Sequence, residues 1–209
     1  LLEKEEFDAL KNKKHQEYVS YISSSAQMLL LLLDNMINFY KFEKNEVVLN
    51  EEEVDLSDLL KESIVLIQTA TQFKNKKIYF QPIKNVFLKG DKRILKQIFL
   101  NILLNSLKFT LNDGKINISL QKLSTGIRLI FKDNGVGIKK EKLKHLFDPF
   151  CSISPSFNKI PQGMGLGLVL VKKMVILHQG RVIVKSRLNK GTVLMIDFPK
   201  DRLIFTRKK

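Results

Sequence analysis

The amino-acid sequence predicts an α+β fold, a two-layer sandwich of helices on a mixed, largely antiparallel sheet, with a helical segment ahead of it. Three observations predict it. Apolar residues between Tyr18 and Phe42 recur at alternating steps of three and four, the period of a helix. From Ile78 to Phe198, short β-branched and aromatic runs come in blocks with longer helical patterns between them, and neighbouring runs are joined by turn residues. The 209 residues are 44% hydrophobic, which suits a packed core of ordinary domain size plus a smaller element.

In chain order, Leu1 to Gln16 is charged, carries Leu2, Phe7 and Leu10, and reads as the end of a helix and its turn. The helix that follows has a seam of Val19, Ile22, Ala26, Leu29, Leu33, Met36 and Tyr40. A second seam, Tyr21, Met28, Leu32, Phe39 and Phe42, lies beside it, more apolar surface than one partner helix covers. That points to a multi-helix bundle, although a core helix of the next domain would show the same period. Glu43 to Val54 is polar and acidic with Val47 to Leu49 as a short extended piece, which places a domain boundary near residue 50. Asp55 or Ser57 then caps a helix running to about Lys74.

Strands are expected at Ile78–Phe80 and Val86–Leu88, a helix from Asp91 to about Thr110, and strands at Ile116–Leu123 and Ile127–Asp133 joined at Ser124 to Gly126. A short helix from Lys139, a loop from Asp148 to Gly163, a helix from Gly165 to about His178, and strands at Arg181–Arg187 and Thr192–Phe198 complete the domain. The organisation is therefore 1–50 helical, 51–200 sandwich and 201–209 a basic tail.

Composition excludes several classes. Lys and Arg number 36 against 21 Asp and Glu, for a net charge of +15, yet the basic residues are scattered and no aromatics alternate with them as a nucleic-acid groove requires. The longest apolar run, Met28 to Leu33, is far short of the ~18 residues of a membrane span, and no signal segment opens the chain. The expectation is a cytoplasmic fragment without membrane contact, of a parent whose anchoring is open because Leu1 is not a start methionine. The one cysteine, Cys151, has no disulfide partner within the chain, in keeping with a reducing compartment.

Four segments can carry chemistry. On the helix from Asp91, Asn101, Asn105 and Lys108 follow at steps of four and three and share a side. Carboxamide oxygens suit a hard cation such as Mg²⁺, and a lysine one turn on suits phosphate, although such residues also simply face solvent. Asp133-Asn134-Gly135-Val136-Gly137 ends a strand with glycines that permit a tight turn and close approach to a ligand, and the Asp133 carboxylate can accept from an exocyclic amine such as that of adenine. Taken alone it is more often a turn. Gly163-Met164-Gly165-Leu166-Gly167 opens a helix whose first N–H groups are available to phosphate, without the spacing of a dinucleotide fingerprint. The loop before it, with Phe147-Asp148-Pro149-Phe150, reads as a lid or as a plain surface loop. Gly191-Thr192 by itself is a hairpin turn.

Taken in order, N-x-x-x-N-x-x-K-F, D-x-G-x-G, F-x-P-F and G-x-G-x-G, followed by G-T, resemble the ATP-binding domain of sensor histidine kinases, from about Ser57 to Phe198. The upstream helix ending Phe39-Tyr40-Lys41-Phe42-Glu43 resembles the second helix of that family's dimerisation hairpin. The resemblance implies the Bergerat-type ATP-binding fold, with ATP and Mg²⁺ as cofactors. It implies Asn105 as Mg²⁺ ligand with Asn101 assisting, Lys108 on phosphate, Phe109 near the base and Asp133 on the adenine amine. It further implies Gly135 and Gly137 admitting the nucleotide, Gly163, Gly165, Leu166 and Gly167 at the hinge and phosphate end of the lid, and Thr192 supporting Asp133 through its hydroxyl.

The partners implied are a second copy of the chain, joined through the hairpin into a homodimer, and the receiver domain of a response regulator. Hydrolysing members of the wider superfamily carry a glutamate where Asn101 stands, and an amide is no general base, so transfer to a protein histidine is favoured over hydrolysis. None of His15, His145 and His178 has the H-E-x-x-T-P setting of the family's accepting histidine, which is expected upstream of Leu1 or altered in the parent. The alternative is a regulatory scaffold that dimerises and controls partners without phosphotransfer.

Overall fold

A computed structural model describes residues 18, 19, 22, 26, 33, 35–44, 46–68, 76–151 and 165–204. The charged opening segment, His15, much of both helical seams, Gly163, most of the expected lid and the last five residues lie outside the described residues. The chain divides into two compact units, Leu1–Asn45 and Glu46–Lys209. In the first, residues 35–43 are helical, and the seam residues Ile22, Leu33, Met36 and Tyr40 are each more than half exposed.

The second unit runs β1 (Glu52–Asp55), α1 (Leu56–Gln68), β2 (Lys77–Gln81), β3 (Phe87–Gly90), α2 (Lys92–Phe109), β4 (Lys115–Leu123), β5 (Gly126–Asp133), α3 (Lys140–Leu143), α4 (Gly167–Leu177), β6 (Arg181–Arg187), β7 (Gly191–Pro199), a 3₁₀ turn (Lys200–Arg202) and β8 (Leu203–Ile204). The main sheet has the order β2-β4-β5-β7-β6, antiparallel throughout except for the parallel β2–β4 pair. This is the expected α+β sandwich.

Strand alternation decides which face the helices cover. Ile116, Ile118 and Leu120 of β4 stand opposite Asp133, Phe131 and Leu129 of β5, and Phe131, Leu129 and Ile127 stand opposite Leu194, Ile196 and Phe198 of β7. All are buried, against Ile94, Leu95, Ile98, Phe99, Ile102 and Leu103 of α2 and the apolar side of α4. Phe99 and Phe131 meet with ring centroids 6.3 Å apart. The outer face is polar: Asp197 of β7 holds Arg128 of β5 through 2.6 and 2.7 Å bonds and Arg181 of β6 at 2.9 Å. Those two guanidiniums hold the Asp197 carboxyl below the usual carboxylate range, against the opposite push of burial.

Two strands lie outside the expectation. One is β1, which follows the apolar trio Val47 to Leu49, is paired antiparallel with β3 and has Val54 as its one buried side chain. The residues expected as a basic tail open with the 3₁₀ turn and β8, which pairs with the other edge of β3. Backbone pairing, rather than apolar content, makes both strands. Asp55 caps α1, accepting from the amides of Ser57 and Asp58, whereas the buried Ser57 hydroxyl donates to the Ile83 carbonyl.

Candidate functional site

Helix α2 holds one end of the site. Its N-cap, Asp91, accepts from the amides of Arg93 and Ile94, and its last turn delivers Lys108 and Phe109 beside the end of β5. Asn101 and Asn105 sit half-buried on the side of α2 that faces the start of α4. A Cβ at Gly167, the first residue of α4, would stand 3.7 Å from both Asn101 Oδ1 and Asn105 Nδ2. The structure therefore brings the carboxamides and the opening of the glycine-rich helix face to face, across more than 60 residues of sequence. Leu166, in the N-cap position, contributes no side-chain cap; its side chain is buried, so only its backbone stands at the helix mouth. Among the described residues no side chain caps the first N–H groups of α4, the condition for an anion site when a ligand is bound. Gly165 backs onto the Cys151 backbone.

The other end is the turn after β5. Asp133 is buried, and its Oδ1 accepts from the amides of Gly135 at 2.9 Å and Thr192 at 3.1 Å. Burial pushes its carboxyl above the ordinary value, and the two amide bonds partly offset that push. Gly135 lies against the end of α2: a Cβ there would fall 2.3 Å from the Phe109 carbonyl oxygen, which accepts from the Val136 amide. Gly137 has φ +66, a conformation that L side chains rarely adopt, and abuts the Arg187 carbonyl. The Asn189 amide donates to the Val136 carbonyl at 2.7 Å, so the β6–β7 hairpin forms the back of this turn.

Lys108 and Phe109 lie together, with Lys108 Nζ 5.5 Å from the Phe109 ring centroid, and burial holds the Lys108 ammonium below its ordinary pKa. Thr192 corrects one expectation. Its backbone amide, not its hydroxyl, supports Asp133, because the hydroxyl is taken by Ser186 Oγ at 2.8 Å.

Ser186 is the residue that sequence reasoning missed. It stands on the helix-facing register of β6, in line with Val182 and Val184, and a polar residue at an inward position of a strand was the available signal. His178, which ends α4, is a structural residue. It is fully buried, its Nδ1 bonds the Met174 carbonyl and its Nε2 accepts from the Asp91 amide, an arrangement that requires the neutral ring. Burial depresses its pKa accordingly.

Residues 90–202, more than half the chain, match the family described as histidine kinase-, DNA gyrase B-, and HSP90-like ATPase. The chain is 29% identical over 199 residues to the non-motile and phage-resistance protein of Caulobacter vibrioides, covering 93% of this chain and 24% of that one. It is also 29% identical over 198 residues to an uncharacterized sensor-like histidine kinase of Rhizobium meliloti, covering 94% and 38%. It thus spans well under half the length of these relatives. Full-length ShkA in complex with AMPPNP superposes with a TM-score of 0.76 at 23% identity, over 94% of this chain and 40% of that one. ThkA in complex with the response regulator protein TrrA gives 0.70 at 23%, over 95% and 55%. Matched by that family model over more than half of its length, and with a sensor-like histidine kinase among its relatives, the chain belongs to the histidine kinase-, DNA gyrase B- and HSP90-like ATPase family.

Proposed function

We propose that this chain is the ATP-binding core of a protein-histidine kinase that holds ATP·Mg²⁺ between α2 and α4, passes the γ-phosphoryl group to a histidine, and supplies a response-regulator aspartate from there. The observation that carries the reading is the meeting of Asn101 and Asn105 with Gly167. In it, Asp133 accepts from the adenine amine, Lys108 neutralises phosphate oxygens, and the uncapped start of α4, with Gly165 and Gly167, receives the phosphate chain. Gly163 would belong to the same run.

Asn105 would hold the metal, assisted by Asn101. Among the described residues no group of three or more His, Cys, Asp or Glu is placed to bind an ion. An ion here would therefore rest on amide oxygen, phosphates and water, which fits Mg²⁺ and its reluctance to shed water. When bound, Mg²⁺ neutralises charge on the transferring phosphate. Asn101 offers no base to activate water, which favours transfer over hydrolysis.

Of the described histidines, His178 is buried with both nitrogens engaged, and His145 is paired with Asp148 at 2.7 Å, so the acceptor in this reading is neither of them. The exposed seam of the first unit supports a homodimer through helices, because four large apolar side chains at helical spacing need a partner surface. No helix among the described residues is long and apolar enough to cross a membrane, and the place proposed for the domain is the cytoplasm.

Calorimetric titration of the purified chain with ATP and a nonhydrolysable analogue, with and without Mg²⁺, tests the site. Saturable Mg²⁺-dependent binding is expected. Its absence would move the reading to a scaffold that dimerises and controls partners without phosphotransfer.

A further inference from the structure

We propose that Ser186 is a specificity-determining positioning residue: it fixes the direction in which the Thr192 hydroxyl proton points, so that the wall made by Asp133 and Thr192 accepts hydrogen bonds without donating them from its side chains, and thereby selects adenine over guanine. The inference rests on the nucleotide reading above. It goes further by assigning base choice to a residue that touches no nucleotide.

Proton bookkeeping carries it. Ser186 Oγ lies 2.8 Å from the Gly191 carbonyl oxygen, 2.8 Å from Thr192 Oγ1 and 2.9 Å from the Ile138 amide nitrogen. A carbonyl can only accept and an amide N–H can only donate. The single Ser186 proton therefore goes to Gly191, one lone pair receives the Ile138 N–H, and the remaining lone pair must receive the proton of Thr192. The reverse assignment would leave the Gly191 carbonyl and a serine lone pair facing each other at 2.8 Å. Thr192 is left with lone pairs and no proton to give.

The neighbouring acceptor is of the same kind. Asp133 Oδ1 takes the amides of Gly135 and Thr192, and no described residue donates to Oδ2. Asp133, Thr192 and Ser186 all lie on the helix-facing side of the sheet, on three adjacent strands. The wall they form consists of acceptors. It complements the 6-amino group of adenine and opposes the 6-oxo group of guanine, which is itself an acceptor. Ser186 also ties Ile138, just beyond Gly137, to the β6–β7 hairpin, so one hydroxyl holds both the turn and its polarity.

The test is the ratio of GTP to ATP dissociation constants, by calorimetry with Mg²⁺, for the unaltered chain, Ser186→Ala, Ser186→Thr and Thr192→Val. Ser186→Ala frees the Thr192 proton to swing toward a 6-oxo group, so the ratio should fall about tenfold, the scale of one hydrogen bond. Ser186→Thr restores the hydroxyl and should restore the ratio. Thr192→Val should lower the ratio while leaving the Ile138 amide protected from hydrogen exchange; Ser186→Ala should expose that amide. A merely structural Ser186 would weaken both nucleotides equally, and an unchanged ratio in Ser186→Ala overturns the proposal. Should Ser186→Ala not fold, an unchanged ratio in Thr192→Val overturns it instead. An unaltered chain that binds ATP and GTP equally also overturns it but keeps the nucleotide site, whereas a chain that binds neither overturns the site itself.

Discussion

The two ends of the α2–α4 pair are built differently. At the N-terminal end of α2, every strong group is engaged: Asp91 Oδ1 takes the amides of Arg93 and Ile94, Oδ2 takes that of Asn50, and the Asp91 amide goes to His178, whose other nitrogen meets Met174. Burial pushes the Asp91 carboxyl up, but those amides and the Arg93 charge outweigh it and hold it below the usual range. At the other end, among the described residues, α4 starts without a side-chain cap, one oxygen of the buried Asp133 receives no bond, and Thr110 Oγ1 is buried without a partner. A helix pair closed at one end and incomplete at the other separates stability from binding along its own length. The closed end holds the fold; the open end is the one that the proposed nucleotide would complete.

Variants can break that separation. The largest effect is expected for His178→Ala, which leaves a cavity and orphans both the Asp91 amide and the Met174 carbonyl, at a cost of about 3 kcal/mol of stability by urea unfolding. Nucleotide affinity of the fraction still folded should be unchanged. Asn105→Ala should do the opposite: Mg²⁺-dependent ATP binding weakened beyond about 100-fold, since a direct ligand counts for more than an outer partner, with the unfolding midpoint unmoved.

Acidification probes the closed end through His178. His178 is held below its ordinary pKa by burial. Between its folded value and about 6.5, the unfolded chain binds the extra proton, so the contribution is complete above pH ~6.5 and is lost as pH falls, at up to about 1.4 kcal/mol per unit. Thermal midpoints measured from neutral to mildly acidic pH should show this slope, and His178→Ala should flatten it. The smallest stability change is expected for Asp133→Asn, within about 0.5 kcal/mol. The raised pKa of Asp133 means that its ionised form costs stability above that pKa, and an asparagine oxygen can still accept from Gly135 and Thr192. Adenine affinity should fall all the same; a variant that binds ATP normally would remove Asp133 from the site.

Much of this division was legible in the sequence. The expected helix from Asp91 to Thr110 is the observed α2 with Asp91 as N-cap and Thr110 as C-cap, because cap chemistry and apolar period agree there. Strands β4 and β5 begin and end within a residue of expectation, since their alternation is clean and their turn is short. The facing of Asn101, Asn105 and Gly167 was not derivable from spacing, and resemblance supplied it. Other features rest on contacts distant in sequence. His178 reaches an amide 87 residues earlier, and nothing beside it in the chain announces a neutral ring. β8 is two residues long, too short for any period, and exists because β3 offers it an edge. Ser186 was visible only as a serine in a strand; its part depends on three groups from two other segments.

The pairing of β3 with both β1 and β8 has a mechanical consequence. Glu51, just ahead of β1, is ion-paired to Arg202, just ahead of β8, and to Lys89 on the strand between them. Glu51, Lys89 and Arg202 thus form one mooring on the sheet whose middle strand runs directly into the Asp91 end of α2. Torque applied there through either flank would enter at one end of an 18-residue rod, about 27 Å long. It would emerge beside Lys108 and the Asp133 turn, so the helix offers a lever arm by which a flanking segment can tilt one wall of the pocket against the other.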